Sequence, residues 1–303
     1  MSQDELLERL GKLKKKRNAV ILAHNYQRGE VQDAADICGD SLELARKAAE
    51  TDADVILFCG VHFMAETAAI SCPEKTVIMP DPNAGCPMAN MITPRELRKV
   101  LEEHPGAYVI TYVNSTAATK ALSDICCTSS NAVKILKQAP ADREVVFIPD
   151  QSLGDYAARI VGREVVLYRG YCPTHHRMLP EDVHRTRREH PDAKITVHPE
   201  CIREVRELAD HVGSTSQILK FCGETDAGEV VVGSEIGILH RIRKENPGKT
   251  FYPLSQLADC PNMKLTTLEK MVWALEDMGG AITVPPDVAE KAKQAIERML
   301  AVK

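Results

Sequence analysis

Three copies of one pattern, laid end to end, limit what this chain can fold into. The apolar runs AVILAH, AYVITY and AKITVH open at Ala19, Ala107 and Ala193, at separations of 88 and 86 residues. Cys-Pro pairs in Gly-flanked or acidic loops begin at Cys86, Cys172 and Cys260, at separations of 86 and 88. The same shifts carry Ser41 onto Ser129 and Thr215, each at the head of a helix-like stretch: SLELARKAAE, SSNAVKILKQ and TSQILKFCGE. A second apolar run follows each helix (DVILFCG, REVVFIP, EVVVGS) and then a third (TVIMPD, EVVLYRG, TFYPLS). One such match arises by chance, but an ordered set at one period marks a triplicated unit.

Each unit reads strand–helix–strand–helix–strand–loop–helix. Strands alternating with helices predict parallel sheets covered on both faces. The fold expected is therefore α/β: three homologous three-layer αβα domains with parallel sheets, arranged about a pseudo-threefold axis. The expected boundaries are 1–86, 87–172 and 173–260, with 261–303 as closing helices. AITVPP (281–286) resembles the opening of a fourth unit, but one helix alone follows it, so it reads as a closing segment. GEVQDAADICGD (29–40) reads as a long connection after the first strand and a candidate lid.

The formal net charge of −5 argues against a nucleic-acid binder driven by bulk electrostatics. The locally basic KLKKKR (12–17) fits the solvated face of an amphipathic helix. No run approaches the roughly 18 apolar residues of a membrane span, and the polar N-terminus lacks the apolar stretch of a signal peptide. These features predict a cytoplasmic location. Ten cysteines in a reducing compartment are then buried small residues or ligands rather than a disulfide framework.

Three readings compete for Cys86, Cys172 and Cys260. They are structural cysteines, ligands of a zinc ion with His175 beside Cys172 as a mixed pair, or ligands of an iron–sulfur cluster. Structural zinc normally shows close cysteine pairs, and no CxxC pair is present. Proline often follows a cluster-ligating cysteine, and three thiolates leave one iron of a 4Fe–4S cluster open as a Lewis acid. The remaining seven cysteines lack full threefold equivalents, and Cys72-Pro73 falls outside the period.

In open parallel sheets, function gathers beyond the carboxyl ends of the strands. Those ends carry His24 and Tyr26, Tyr112 and Asn114, and His198 and Glu200. Glu200 is the sole carboxylate among them, and partial desolvation would raise its pKa toward that of a general acid/base. GDS (39–41), CTSS (127–130) and GSTS (213–216) each place hydroxyls at a helix start, where unpaired N–H groups favour anions. Singly each is an ordinary N-cap; together they predict a pocket for several anionic groups, such as carboxylates and a phosphate. No GxGxxG, P-loop or GxSxG motif is present, which disfavours dinucleotide binding, P-loop phosphoryl transfer and a serine nucleophile.

As an ordered set, AHNYQ, GDS, GCPMA, TYVNS, CTSSNA, CPTH, VHPEC, GST and DCPNMK resemble the quinolinate synthase family, from about residue 18 to the end. The resemblance implies three α/β domains around a central site and a 4Fe–4S cluster on Cys86, Cys172 and Cys260. It implies condensation of iminoaspartate with dihydroxyacetone phosphate to quinolinate, phosphate and water. It also suggests coupling to the enzyme that oxidises aspartate. Carried over, His24 and Tyr26 line the site, and Tyr112 and Asn114 bind carboxylates of the imino acid. Ser41, Ser129, Ser214 and Thr215 hold carboxylate or phosphate oxygens. His198 and Glu200 act near the reacting carbons, Glu200 as proton shuttle, and His175 stands beside the cluster. Some relatives carry extra C-terminal cysteines; here Cys260 is the last. A zinc-dependent aldolase or hydrolase on a similar fold, and a non-enzymatic iron–sulfur sensor, are the competing functions.

Overall fold

The computed structural model describes residues 1–302. Among them, twelve strands form three four-stranded sheets in which every strand pairing is parallel. The first sheet contains β1 (Ala19–His24), β2 (Ile37–Gly39), β3 (Val55–Cys59) and β4 (Thr76–Ile78). The second contains β5 (Tyr108–Tyr112), β6 (Ile125–Cys127), β7 (Val145–Ile148) and β8 (Val166–Leu167). The third contains β9 (Lys194–Val197), β10 (His211–Val212), β11 (Glu229–Gly233) and β12 (Thr250–Pro253). Each sheet has its second strand at one edge, then the first, third and fourth. All residues of β3 and β7 are buried. This is why they read as unbroken apolar runs rather than as alternation.

Each unit holds four strands, not the three read from the sequence. The extra edge strands β2, β6 and β10 are two or three residues long, too short for any periodicity. One device pins all three. Asp36, Asp124 and Asp210 each accept, at 2.8 Å, the backbone N–H of the third residue counted from Ala19, Ala107 or Ala193: Ile21, Val109 and Ile195. The N–H of the same aspartate donates to the carbonyl of that residue. A hydrogen bond to a charged group contributes roughly 1.5–3 kcal/mol, enough to hold so short a strand in register.

The segment 29–40 is consequently not a free connection. It is the helix Gly29–Ala34 followed by β2. Gln32 lies buried within it and donates to the carbonyls of Asn25, Gln27 and Gly237. Those bonds tie the segment to the third sheet's loops, so the expected lid is part of the scaffold.

Residues 281–286 form no strand; Ala281 makes a single antiparallel bridge to Ile78 at the edge of the first sheet. The following helix, Pro286–Ala301, packs on β6, on the helix Ala117–Lys120 and on the helix His62–Ser71, joining elements of the first and second sheets. The N-terminal helix Gln3–Lys16 packs against Leu268–Asp277. One hydrophobic cluster contains Leu22, Ile110 and Val230 from the central parts of the three sheets. The sheets therefore share a continuous core, and the ends of β1, β5 and β9 stay fixed relative to one another.

Candidate active site

Each Cys-Pro pair begins a turn of helix. Cys172 is the N-cap of Pro173–His176, and 3-10 turns at Met88–Asn90 and Met263–Leu265 follow Cys86 and Cys260. Proline is preset for the first helical position, where its missing N–H costs nothing. The turn then aims backbone N–H groups at the sulfur: those of Met88 and Ala89 at Cys86, that of His175 at Cys172, and those of Asn262 and Met263 at Cys260. Burial nevertheless raises all three thiol pKa values, to about 12 for Cys86 and well above the ordinary value for Cys172. The thiols stay protonated unless a metal replaces the proton.

The ends of β1 and β9 share one local structure. His24 Nδ1 accepts the N–H of Tyr26 at 3.2 Å, and His198 Nδ1 accepts the N–H of Glu200 at 3.2 Å. With Nδ1 accepting, Nε2 carries the proton. Both rings are buried, and burial lowers their pKa values to about 4 for His24 and about 3 for His198. At neutral pH they are uncharged N–H donors.

Glu200 departs from expectation. Burial acts to raise its pKa, but the carboxyl is held below its usual range. His175 Nδ1 stands 2.7 Å from its Oε2, and the Tyr112 hydroxyl donates to it. The electrostatic influence of His175 and then His198, followed by the hydrogen bonds from His175 and Tyr112, outweighs desolvation, so the expected upward shift is reversed. His175 links further groups. Its Nδ1 is also 3.2 Å from Cys172 Sγ, its Nε2 is 3.2 Å from Ser234 Oγ, and Ser234 Oγ is 2.8 Å from the Tyr26 hydroxyl. With Nδ1–H donating to the carboxylate, a consistent chain runs from Tyr26 through Ser234 and His175 to Glu200. The Tyr26 and Tyr112 hydroxyls are pushed well above their ordinary pKa, first by burial and then by the Glu200 charge.

The helix starts are less open than predicted. At Ser41–Glu50 the Asp40 carboxylate caps the N–H groups of Leu42 and Glu43. At Thr215–Glu224 the cap is Ser214, in a capping box with Gln217. Ser214 is fully buried and does not line the cavity, which corrects its assignment as a ligand group: its hydroxyl is occupied by the helix. Only Ala132–Gln138, after Asn131, lacks a side-chain cap among the three. Ser130 Oγ bridges Asp40 (2.8 Å) and Ser214 (3.2 Å), so the three helix starts meet.

A cavity of about 70 Å³ lies at this meeting point. Its walls include His24, Tyr26, Ser41, Cys86, Tyr112, Asn114, Ser129, Cys172, His175, His198, Glu200, Thr215 and Cys260. The sequence reading missed Asp40, Thr128, Ser130, Thr174 and Glu235 in the wall, and Asp150 and Ser234 behind it. Glu235 and Ser234 follow directly on the run EVVVG, so extending the strand-end argument from the first strand of each unit to the third would have found them. Among the described residues no lysine or arginine lines the cavity. Anionic groups entering it meet hydroxyls, neutral imidazole N–H groups and the Asn114 amide, whose Oδ1 has no partner among the described residues, beside the acidic side chains of Asp40, Glu200 and Glu235.

Among the described residues, the set whose ligand atoms all lie within 4.8 Å of one another is Cys172, His175 and Glu200; the three Cys-Pro sulfurs do not form such a set. They face one cavity at wider separation.

The family model of the quinolinate synthetase A protein matches residues 8–301. The chain belongs to the quinolinate synthase family. A quinolinate synthase from Dehalococcoides mccartyi strain CBDB1 is 53% identical over the whole of both chains. That from Methanoregula boonei is 54% identical over 98% of both, and that from Thermodesulfovibrio yellowstonii 50% over 97% of both. Members of the family are enzymes of NAD biosynthesis that act on small molecules, and this chain is one of them. Among the described residues no helix is long and apolar enough to cross a membrane.

Proposed function

We propose that this chain condenses iminoaspartate with dihydroxyacetone phosphate to form quinolinate, phosphate and water, with a 4Fe–4S cluster held by Cys86, Cys172 and Cys260. The observation that carries this reading is the convergence of one Cys-Pro turn per sheet on the cavity that also gathers Ser41, Ser129, Thr215, two neutral histidines and Glu200. The sulfur spacing supports a group larger than one ion. A single zinc about 2.3 Å from each sulfur needs the sulfurs within about 4 Å of one another, and these three do not fall within 4.8 Å. The N–H groups facing each sulfur suit thiolates that share charge with iron. We further propose that the three units form domains near 1–86, 87–172 and 173–260 about a pseudo-threefold axis, closed by 261–303.

When bound, the cluster supplies a Lewis-acidic iron with one position free for a substrate oxygen. The residues supply the rest. Tyr112, Asn114, His24 and His198 bind the carboxylates of the imino acid through neutral donors. Ser41, Ser129 and Thr215 receive phosphate or carboxylate oxygens in the basin between the helix starts. Glu200, ionised, takes a proton from a substrate carbon and returns it to a leaving oxygen. The Tyr26–Ser234–His175 chain keeps Glu200 in register with a second proton store on the opposite wall. An imine hydrolyses in water, which supports supply by a coupled aspartate-oxidising enzyme and a cytoplasmic setting shared with it.

The test is iron, acid-labile sulfide and zinc per chain on protein purified without oxygen, together with quinolinate and phosphate release. About four irons and four sulfides, with turnover abolished in each of Cys86→Ala, Cys172→Ala and Cys260→Ala, is the expected result. One observation favours a second reading: Cys172, His175 and Glu200 lie close enough to hold one zinc, as in a zinc aldolase or hydrolase. Their closeness already has a cause in the His175 hydrogen bonds. Zinc without sulfide would establish that reading instead, and tight carboxylate binding without turnover would mark a sensor.

A further inference from the structure

The register of the third strands exposes a relation that the cysteine period hides. Ala23, Thr111 and Val197 are equivalent, and their partners are Cys59, Ile148 and Gly233. Two residues beyond these partners stand Val61, Asp150 and Glu235. The two carboxylates are fully buried and make the same pair of bonds. One oxygen of Asp150 accepts the backbone N–H of Cys172 at 3.2 Å, and the other accepts that of Leu153 at 2.7 Å. One oxygen of Glu235 accepts the N–H of Cys260 at 3.1 Å, and the other accepts that of Gly237 at 2.8 Å. Each carboxyl group thus ties a Cys-Pro turn to the chain that follows the third strand of its own sheet: Asp150 to the first turn of the helix Gln151–Val161, which it caps, and Glu235 to Gly237 at the start of Ile238–Glu245. Val61 can offer nothing of the kind, and among the described residues no side chain accepts from the N–H of Cys86.

We propose that Asp150 and Glu235 are positioning residues that clamp the Cys172 and Cys260 turns, leaving the Cys86 turn as the compliant ligand that opens first when the metal group is loaded or lost. This rests on the cysteine-ligand reading above. The physical basis is the cysteine N–H itself. The proline after it has no donor and the turn uses the later N–H groups on sulfur, so the cysteine N–H is the remaining buried donor. A carboxyl oxygen satisfies it in each case, although burial raises the pKa of both groups and the Glu200 charge raises that of Asp150 further. The packing is tight at Glu235: a Cβ on Gly237 would lie 2.8 Å from Glu235 Oε2 and 2.6 Å from the Tyr26 carbonyl. Lys264 Nζ, 2.8 Å from Glu235 Oε1, fixes the carboxylate from the other side.

The test uses the full chain, purified without oxygen and stripped by a chelator in the presence of an alkylating reagent, with labelling of each cysteine followed by mass spectrometry. In the unmodified protein Cys86 labels before Cys172 and Cys260. Asp150→Asn accelerates labelling of Cys172 several-fold, the loss of one hydrogen bond, and leaves Cys260 unchanged. Glu235→Gln does the reverse, because an amide can turn its oxygen to only one of the two N–H groups. Both variants also lose the visible absorption of the loaded chain faster. General destabilisation would speed all three cysteines together, and that outcome, or no change in either variant, overturns the proposal. Val61→Ala serves as the matched control and leaves the order intact. Should Asp150→Asn not fold, Glu235→Gln alone decides by the same selectivity. Zinc in place of iron and sulfide would refute the functional reading while leaving the labelling order as a separate result.

Discussion

The ends of β1 and β9 are the same piece of backbone with different chemistry. In both, a histidine closes the strand, turns its Nδ1 onto the N–H two residues ahead, and is left neutral by burial. The residue so oriented is a tyrosine in one case and a glutamate in the other. Burial keeps the Tyr26 phenol protonated, whereas His175, His198 and the Tyr112 hydroxyl keep Glu200 ionised against the same burial. The end of β5 lacks the histidine: Tyr112 stands there and donates to Glu200, and Asn114 is left with an unpartnered oxygen. A repeated scaffold thus delivers a phenol, a carboxylate and an amide to one cavity by changing two positions per copy.

Exchanging those chemistries separates the two ends most sharply. Glu200→Gln keeps the shape and removes the ionised carboxylate, and the rate of quinolinate formation is expected to fall about 10²- to 10⁴-fold with little change in KM. Tyr26→Phe removes a hydroxyl that reaches Glu200 only through Ser234 and His175, and about a tenfold loss is expected. Steady-state kinetics under anaerobic conditions decide it. A greater loss in Tyr26→Phe than in Glu200→Gln would reverse the roles of the two ends.

The feature the two ends share predicts a smaller effect, on stability. His24 and His198 are ordinary in the unfolded chain, near 6.5, and depressed in the fold to about 4 and about 3. The unfolded chain therefore binds more protons as pH falls below about 6.5, and the stability these rings contribute is present above that pH and is lost through pH 4 toward 3. A shift of this size corresponds to a few kcal/mol per ring at full expression. Denaturation midpoints between pH 7.5 and 5 should decline, and His198→Gln, which has no such ionisation, should show a shallower decline than the unmodified chain. Equal slopes would place the charge-sensitive groups elsewhere.

Much of this was legible in the residues themselves, because a long buried strand is an apolar run and a Cys-Pro turn is a fixed dipeptide. The parallel sheets and the wall residues from His24 to Cys260 follow from the period. What escaped was short or relational. The edge strands are two or three residues long, and the aspartates that hold them are visible only once a backbone N–H is placed beside Asp36, Asp124 and Asp210. The pKa of Glu200 depends on where His175 lies, twenty-five residues earlier in the chain. The equivalence of Asp150 and Glu235, as distinct from their place at a strand end, needed strand register, since their spacing of 85 differs from that of the cysteines they hold.

Ser214 and Thr215 give the finest version of the comparison, because adjacent hydroxyls at one helix start are assigned to different tasks. Ser214 Oγ accepts the N–H of Gln217, and Gln217 Oε1 accepts the N–H of Ser214 at 2.8 Å. Thr215 lines the cavity and reaches the Tyr26 hydroxyl. Ser214→Ala should therefore cost about 1 kcal/mol of stability, a fall of about 2 °C in Tm for a chain of this size, and leave KM unchanged. Thr215→Val keeps the branched shape and loses only the hydroxyl. It should leave Tm unchanged and raise KM for the proposed phosphate-bearing substrate several-fold, the value of one hydrogen bond. The opposite split would mean that the helix cap is the ligand group after all, and that the N–H groups of Thr215–Glu224 are satisfied by substrate rather than by Ser214.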